Sequence, residues 1–353
     1  MKIALLGDTH WGARNDLAVF YIHMEKFFDL FIDYLIKNDI KHVFQLGDLY
    51  DRRKYINIKT LQESQRILFD RLAEYDIVFH TLVGNHDTYY KESLETNTLN
   101  LVLGKYDNII IHDKPSTVIL DDYSFDIVPW ICKENQNQIL EYINDSDSHA
   151  IMGHFEISGF LMHQGMEHLM HHMQDILPVS FFEKYQHVFS GHYHTRSQKD
   201  NILYIGTPYE LTWHDYNDPK GFHIFDTKNQ ELTFVKNPNT HFVRLEYNDS
   251  NGKIPSINDL SNCFVKLFVT NKSDMQRFDN FMITVYNNNP YDLKVIEDLN
   301  LVPLDMPKIG FKLENTIDVV MHYIDSLNDT SISKTKLKNY FKELYIEAMN
   351  VSE

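Results

Sequence analysis

Cysteine is nearly missing from this chain: Cys132 and Cys263 are the only two in 353 residues. They lie far apart and give neither a disulfide framework nor a thiolate metal site, and their scarcity suits a reducing compartment. Basic residues are also few, 33 Lys and Arg against 50 Asp and Glu, for a formal charge of −17. That balance argues against a general nucleic-acid binder, whose phosphate contacts come from Lys and Arg. No apolar run approaches a membrane span. Met1–Leu6 is too short for a signal peptide and gives way at once to a polar motif. The expectation is a soluble cytoplasmic protein without a membrane partner, long enough for one large α/β domain plus a smaller one.

Histidine, in contrast, is plentiful, with 19 copies, many in Gly-His or His-x-His settings. The most informative stretch is Gly84-Asn85-His86-Asp87, directly after the β-branched and aromatic run Val78–Val83. Asn85 offers a neutral carbonyl oxygen to a cation, and His86 carries a proton near neutral pH. Asp87 is expected to fix the His86 tautomer by accepting from the other ring nitrogen. Four more strands end in the same way. Lys2–Leu6 runs into Gly7-Asp8-Thr9-His10, where Asp8 and His10, two apart, point to one side of an extended segment. Val43–Leu46 closes in Gly47-Asp48-Leu49-Tyr50-Asp51, Ile151-Met152 in Gly153-His154, and Val188–Ser190 in Gly191-His192-Tyr193-His194. Any one of these is an ordinary capped turn. Five in one chain form a pattern.

The intervening segments read as scaffold. Residues 17–38 carry Phe20, Met24, Phe27, Phe28, Phe31 and Leu35 on one helical stripe, and 58–74 give a second helix. Strand, helix, strand of this length is a right-handed βαβ unit, which brings the Gly-Asp clusters to one sheet edge, where α/β sheets bind ligands. Arg52-Arg53-Lys54 is a basic cluster beside that edge, a solvated turn or a guide for phosphate. Helices are expected at 92–104 and 136–143, and strands at 108–112, 116–120, 124–128, 202–205, 221–225 and 231–235. Gly206-Thr207-Pro208 should form a tight turn beside the site. The His- and Met-rich stretch 160–173 lacks an organised ligand spacing and reads as a solvent-facing loop rather than a second metal site. Around 236–260 the composition turns to Asn, Asp, Ser, Gly and Pro, a boundary signal. Cys263–Thr270, a helix near 273–283 and Leu293–Ile296 suggest a small α+β unit. Ile317, Val320, Met321 and Ile324, then Leu337, Tyr340, Phe341, Leu344, Tyr345 and Ala348, form two terminal helical stripes that pack back or dock a partner.

Collected, the strand-end candidates are Asp8, His10, Asp48, Asn85, His86, His154, His192 and His194. Carboxylate, imidazole and amide donors without thiolate suit Mn²⁺, Fe²⁺, Zn²⁺ or Mg²⁺. With His86 set aside as the proton carrier, the seven remaining ligands are too many for one ion and right for two that share a carboxylate, with Asp48, from a central strand, as the bridge. Two divalent cations against Asp8 and Asp48 leave the inner shell net positive, so a phosphodiester is attracted even to an acidic protein. Two such ions activate water and stabilise pentacoordinate phosphorus, which makes phosphoester hydrolysis the expected chemistry.

The ordered set Asp-x-His, Gly-Asp-x-x-Asp, Gly-Asn-His-Asp, Gly-His and Gly-His-x-His resembles the calcineurin-like metallophosphoesterase superfamily. With Arg52-Arg53, Ile205–Pro208 and the C-terminal extension, it is similar to the SbcD-type nuclease subunits of double-strand-break repair complexes, the T-even-like phage branch above all. The resemblance implies a four-layer α-β-β-α sandwich at 1–240, a smaller α+β DNA-capping domain at 241–312 and a helical ATPase-binding segment at 313–353. It further implies that Asp8, His10, Asp48 and His194 hold one Mn²⁺, and that Asp48, Asn85, His154 and His192 hold the other. His86 then protonates the leaving oxygen with Asp87 orienting it, and Arg52 and Arg53 guide substrate. Many cellular members carry histidine where Asp51 stands, so a supporting role is expected for Asp51. DNA, a second copy of the chain (through parts of 58–74 and 90–104) and an SbcC-type coiled-coil ATPase are the implied partners. The implied activity is Mn²⁺-dependent 3′→5′ exonuclease on duplex DNA and endonuclease on single strands. The same centre also serves protein phosphatases and cyclic-nucleotide phosphodiesterases, and a DNA-end tether with residual activity is a further alternative.

Overall fold

Two six-stranded sheets, each with helices on its outer face, carry residues 1–236 of this computed structural model. The described residues are 1–157, 159–163, 166–167, 177, 179–250, 252 and 254–297, with a few positions between 324 and 341. Contacts divide the chain into two units, Met1–Asp298 and Leu299–Glu353. Most of the His- and Met-rich stretch 160–173 and most of the terminal helical stripes lie outside the described residues.

The first sheet begins with β1 (Lys2–Leu6), followed by a short turn, α1 (Ala13–Asp16), and the long helix α2 (Ala18–Lys37). β2 (His42–Gln45) comes next, then α3 (Ile58–Ser64), a π-helical stretch at Gln65–Phe69, α4 (Asp70–Glu74) and β3 (Val78–Leu82). After α5 (Thr98–Leu103) and β4 (Ile109–His112), the second sheet opens with the hairpin β5 (Ser116–Leu120) and β6 (Tyr123–Val128). It continues through α6 (Gln136–Asp145), β7 (Ala150–Gly153), a two-stranded ribbon β8 (Leu161–His163) and β9 (Met166–Glu167), β10 (His187–Ser190), β11 (Ser197–Lys199) and β12 (Ile202–Tyr204). β13 (Gly221–Asp226) and β14 (Glu231–Lys236) return to the first sheet.

The orders are β14-β13-β1-β2-β3-β4 and β11-β12-β10-β7-β6-β5. β1 to β4 are mutually parallel, as are β6, β7, β10 and β12. Alternation along each strand divides the core. On β1, Ile3 and Leu5 turn inward with Phe44, Leu82, Phe125, Met152 and Phe189 between the sheets. Ala4 and Leu6 turn outward onto Phe27, Phe28 and Phe31 of α2. On the far side, Ile151 and Val188 pack with Ile139 and Ile143 of α6. Four layers result, as the resemblance implies. Each buried Phe contributes roughly 2–3 kcal/mol.

Two expectations shift. The helix predicted at 92–104 begins at Thr98, because the Asn97 side chain accepts from Asn100 N at 3.0 Å and caps it. Part of the polar boundary at 236–260 is a strand, β15 (Phe242–Asn248), whose Phe242, Leu245 and Tyr247 are buried. It pairs in parallel with β16 (Phe264–Asn271), which pairs with β17 (Asp292–Glu297). α7 (Met275–Asn287) covers this three-stranded sheet through Phe278, Phe281 and Val285, which share a small separate core with Val265 and Leu267.

Candidate metal centre

The loops after β1, β2, β3, β7 and β10 meet, and they bring the seven sequence-predicted ligands together. Asp8 is buried and accepts from His192 N at 3.0 Å, which ties the first loop to the last. His10 Nε2 lies 3.1 Å from His194 Nε2, 4.0 Å from Asp8 Oδ2 and 3.9 Å from Asp48 Oδ2. The second group forms around His154, whose Nε2 is 3.2 Å from Asp48 Oδ2, 2.9 Å from Asn85 Oδ1 and 3.2 Å from His192 Nδ1. Asp8, His10 and His194 thus form one trio, and Asp48, His154 and His192 another, with Asp48 reaching toward both.

These groups fit a cation rather than one another. His154 Nδ1 donates to the Leu46 carbonyl at 2.8 Å, so the neutral ring turns a lone pair at Nε2 into the centre. That lone pair meets the oxygens of Asn85 and Asp48, and acceptors this close repel unless positive charge lies among them. Left to protons alone, the centre collects them. Burial works against a charged His154, but Asp48 and Asp8 outweigh it and push the ring up to about 9. His10 behaves alike: burial opposes its charge, the Asp51, Asp48 and Asp8 carboxylates win, and it also rises to about 9. Burial, with the neighbouring Asp48 charge, lifts Asp8 to about 7. Asp48 goes the other way, since His154, His86 and His10 overcome its burial and hold it well below the usual carboxylate range. All donors are oxygen or nitrogen, the set for a hard to borderline divalent ion.

The backbone is bent to achieve this. His10, Asp48 and His192 take φ of 44°, 51° and 83°, left-handed values that non-glycine residues rarely adopt and that concentrate at functional sites. Gly47 and Gly191 allow the close approach: a Cβ at Gly47 would come 2.5 Å from His154 Nδ1, and one at Gly191 would come 2.6 Å from Asp8 Oδ1. The sequence marks these glycines only as strand ends.

His86 sits at the rim, its ring edge-on to His10 at 5.0 Å and its backbone N–H donating to Asp48 Oδ1 at 2.7 Å. Its orientation corrects the expectation for Asp87. His86 Nδ1 donates to the Asp51 carbonyl at 2.6 Å, whereas the buried Asp87 carboxylate accepts from the backbone of Gly84, Leu49 and Tyr50. Asp87 is spent on bracing two loops, because three backbone donors surround it and the ring does not. Asp51 supports the site at two points, its carboxylate 3.3 Å from His10 Nδ1 and its carbonyl on His86. Arg52 is held by Asp16 at 3.0 Å and Asn15 at 2.6 Å, and Arg53 lines a separate groove with Tyr55, Tyr89 and Leu101. The turn at Gly206–Pro208 does lie beside the centre, Thr207 N donating to the His194 carbonyl at 3.1 Å.

One supporting residue has no signature in the sequence. Lys220 is buried and donates to the His194 carbonyl and to Asp218 Oδ2, both at 2.8 Å, while pairing with Asp215 at 2.7 Å. It pins the loop that carries two candidate ligands. Only the fold brings a lysine from the start of β13 to that carbonyl.

The calcineurin-like phosphoesterase family matches residues 1–196. Exonuclease subunit 1 of Enterobacteria phage T4 is 35% identical over 352 residues, 99% of each chain. The DNA double-strand break repair protein Mre11 of Nanoarchaeum equitans is 28% identical over 40% of this chain and 33% of its own. The SbcD component of the SbcCD nuclease of Staphylococcus saprophyticus is 22% identical over 66% of this chain and 67% of its own. Among the described residues, no helix is long and apolar enough to cross a membrane.

Proposed function

We propose that this chain, which belongs to the calcineurin-like phosphoesterase family, is the DNA-cleaving subunit of a nuclease–ATPase complex. The observation that carries the reading is the convergence of lone pairs from Asp8, His10, Asp48, Asn85, His154, His192 and His194 on one buried centre. Asp8, His10, Asp48 and His194 would hold one Mn²⁺, and Asp48, Asn85, His154 and His192 would hold the other. Bound there, the pair supplies positive charge against the phosphate and a water acidic enough to attack it.

The chain's own groups do the rest. Asp48 faces both trios and so sets their spacing. His86, fixed through Nδ1 by the Asp51 carbonyl, offers Nε2 to a phosphate oxygen. Burial lowers its proton affinity, and Asp48 partly restores it. An anionic phosphodiester raises that affinity again, so the ring is charged when substrate is present and delivers its proton to the leaving 3′ or 5′ oxygen. Asp87 keeps the Gly84 and Asp48 loops in register through its three backbone bonds. Arg52 and Arg53, which directly follow Asp51 in the chain, steer the phosphate backbone toward the centre.

The separate core around β15–β17 and α7 supports a capping domain at 241–312 that lies along DNA. Ile58, Leu101, Tyr55 and Tyr90, which are 86%, 78%, 59% and 56% exposed, support a homodimer through the helices near 58–74 and 90–104. The phage and staphylococcal relatives are both named as one component of a larger nuclease, which supports a partner, and residues 313–353 would grip the root of an SbcC-type coiled coil. The test is cleavage of end-labelled duplex and single-stranded DNA with Mn²⁺ and with chelator, beside a phosphopeptide and a cyclic nucleotide. Mn²⁺-dependent release from 3′ ends of duplex and internal cuts in single strands are expected. Hydrolysis of phosphopeptide or cyclic nucleotide with intact DNA would overturn the reading.

A further inference from the structure

A cavity of about 540 Å³ opens directly against His154, on the side of the trio formed with Asp48 and His192. Its apolar wall is Trp130, Ile131, Phe155 and Leu177, and its polar edge carries Lys91 and Lys133 together with the carboxylates of Glu92 and Glu156. The indole of Trp130 lies 5.3 Å from the His192 ring and 5.9 Å from the His154 ring. Its backbone is held on both sides, Trp130 N donating to the Val83 carbonyl at 2.7 Å and its own carbonyl accepting from Asn135 Nδ2 at 2.9 Å. The backbone of Trp130 is therefore fixed relative to the end of β3, from which the loop with Asn85 and His86 departs.

Volume and chemistry together narrow the ligand. Small-molecule sites of about 300–1,000 Å³ accept a nucleotide-sized group. An aromatic wall with two lysines at its edge matches a planar ring attached to an anionic chain, and the two carboxylates there can accept from the N–H groups of a base. We propose that this cavity receives one nucleobase of the strand being cut, stacked on Trp130, with Lys91 and Lys133 against the adjoining phosphate. The base must leave its own stack to enter, which a frayed end or a single strand allows at low cost. Trp130 is thus a residue that positions the scissile phosphate through the neighbouring nucleotide.

The inference rests on the nuclease reading, and the experiment separates the two. The full-length chain with Mn²⁺ is given single-stranded DNA that is either intact or lacks one base next to the cleaved linkage. Wild-type protein is expected to lose roughly tenfold in cleavage at the abasic position, the size of one base–aromatic stack. Trp130→Leu, which keeps an apolar wall without an aromatic face, should lose a similar factor on intact DNA and be indifferent to the missing base. Trp130→Phe should recover most of both effects. Wild-type protein that cuts abasic and intact strands equally would overturn the base pocket while leaving the nuclease reading in place. So would a Trp130→Leu protein that still discriminates between them. Wild-type protein that cuts no DNA at all would overturn the nuclease reading and the pocket with it.

Discussion

Histidine is used in opposite ways in the loops that follow the strands and within the strands of this sandwich. In the loops, His10 and His154 face carboxylates and rise to about 9 in spite of their burial. Within the first sheet, His42, His80 and His112 stack across β2, β3 and β4, with ring centroids 5.6 and 5.4 Å apart. Nδ1 of His42 is 3.3 Å from His80 Nε2, Nδ1 of His80 is 3.2 Å from His112 Nε2, and His112 Nδ1 is 2.7 Å from Ser116 Oγ. Phe44 covers His80 at 4.2 Å. Burial governs there and pushes His80 down to about 3 and His112 to about 4. The difference teaches that an imidazole marks a cation site only where carboxylates and other lone pairs converge on it. Elsewhere it is a neutral hydrogen-bonding unit of the core.

The largest separation between the regions is expected from Asp48→Asn set against His80→Gln. The first substitution removes the charge that both trios face, and metal-dependent cleavage should fall by roughly 10²–10³ or more, with loss of bound metal measured by mass spectrometry. The His80 variant should cleave within a few-fold of wild type, and an equal loss in the two would erase the distinction. Next in size is His86→Ala, which should lower kcat by about 10²–10⁴ in single-turnover assays while the metal content per chain is kept. Asp51→Asn, which weakens the hold on His10, should cost about 10–100-fold in metal affinity.

The smallest effects are those of pH on stability, and their signs differ between the regions. His10 and His154 bind protons more tightly folded than unfolded, so their contribution is full below the ordinary 6.5 and is lost as pH rises through about 9. Asp8, raised from 3.8 to about 7, pulls the same way between those values. A cation competes with those protons, so the rise in Tm on adding Mn²⁺ should grow from pH 6 to pH 9. A Tm increment independent of pH would contradict protonation of the site. His80 and His112 bind protons less tightly folded, and their contribution is present above 6.5 and lost as pH falls toward 3 to 4. Chelator-treated His80→Phe should accordingly show a flatter acid limb, by up to about 1.4 kcal/mol per pH unit.

Much of this was legible in the sequence because it is local. Gly at the strand end and an apolar run before it placed Asp8, His10, Asp48, Asn85, His154, His192 and His194 at strand ends, whereas Asp8 and His10 do not share the side of an extended segment, because His10 takes φ 44°. The α2 stripe was legible for the same reason, its period being written in adjacent turns. What escaped depends on contacts distant in the chain. Asp87 adjoins His86 in sequence, yet its partners are backbone groups of Gly84, Leu49 and Tyr50. Lys220 reaches the His194 carbonyl only because β13 returns beside β1, and Trp130 nears His192 only because β6 and β10 run parallel on either side of β7 and end at one sheet edge. β15 was hidden in a polar stretch because its sheet is small and only three of its residues are buried.

The most direct measurement of the central claim is anomalous diffraction from crystals of the full chain soaked in Mn²⁺. Two peaks about 3.5–4 Å apart are expected, one beside Asp8, His10 and His194, the other beside Asn85, His154 and His192, with Asp48 touching both. A single ion held away from Asp48, or these side chains unliganded at saturating metal, would contradict it.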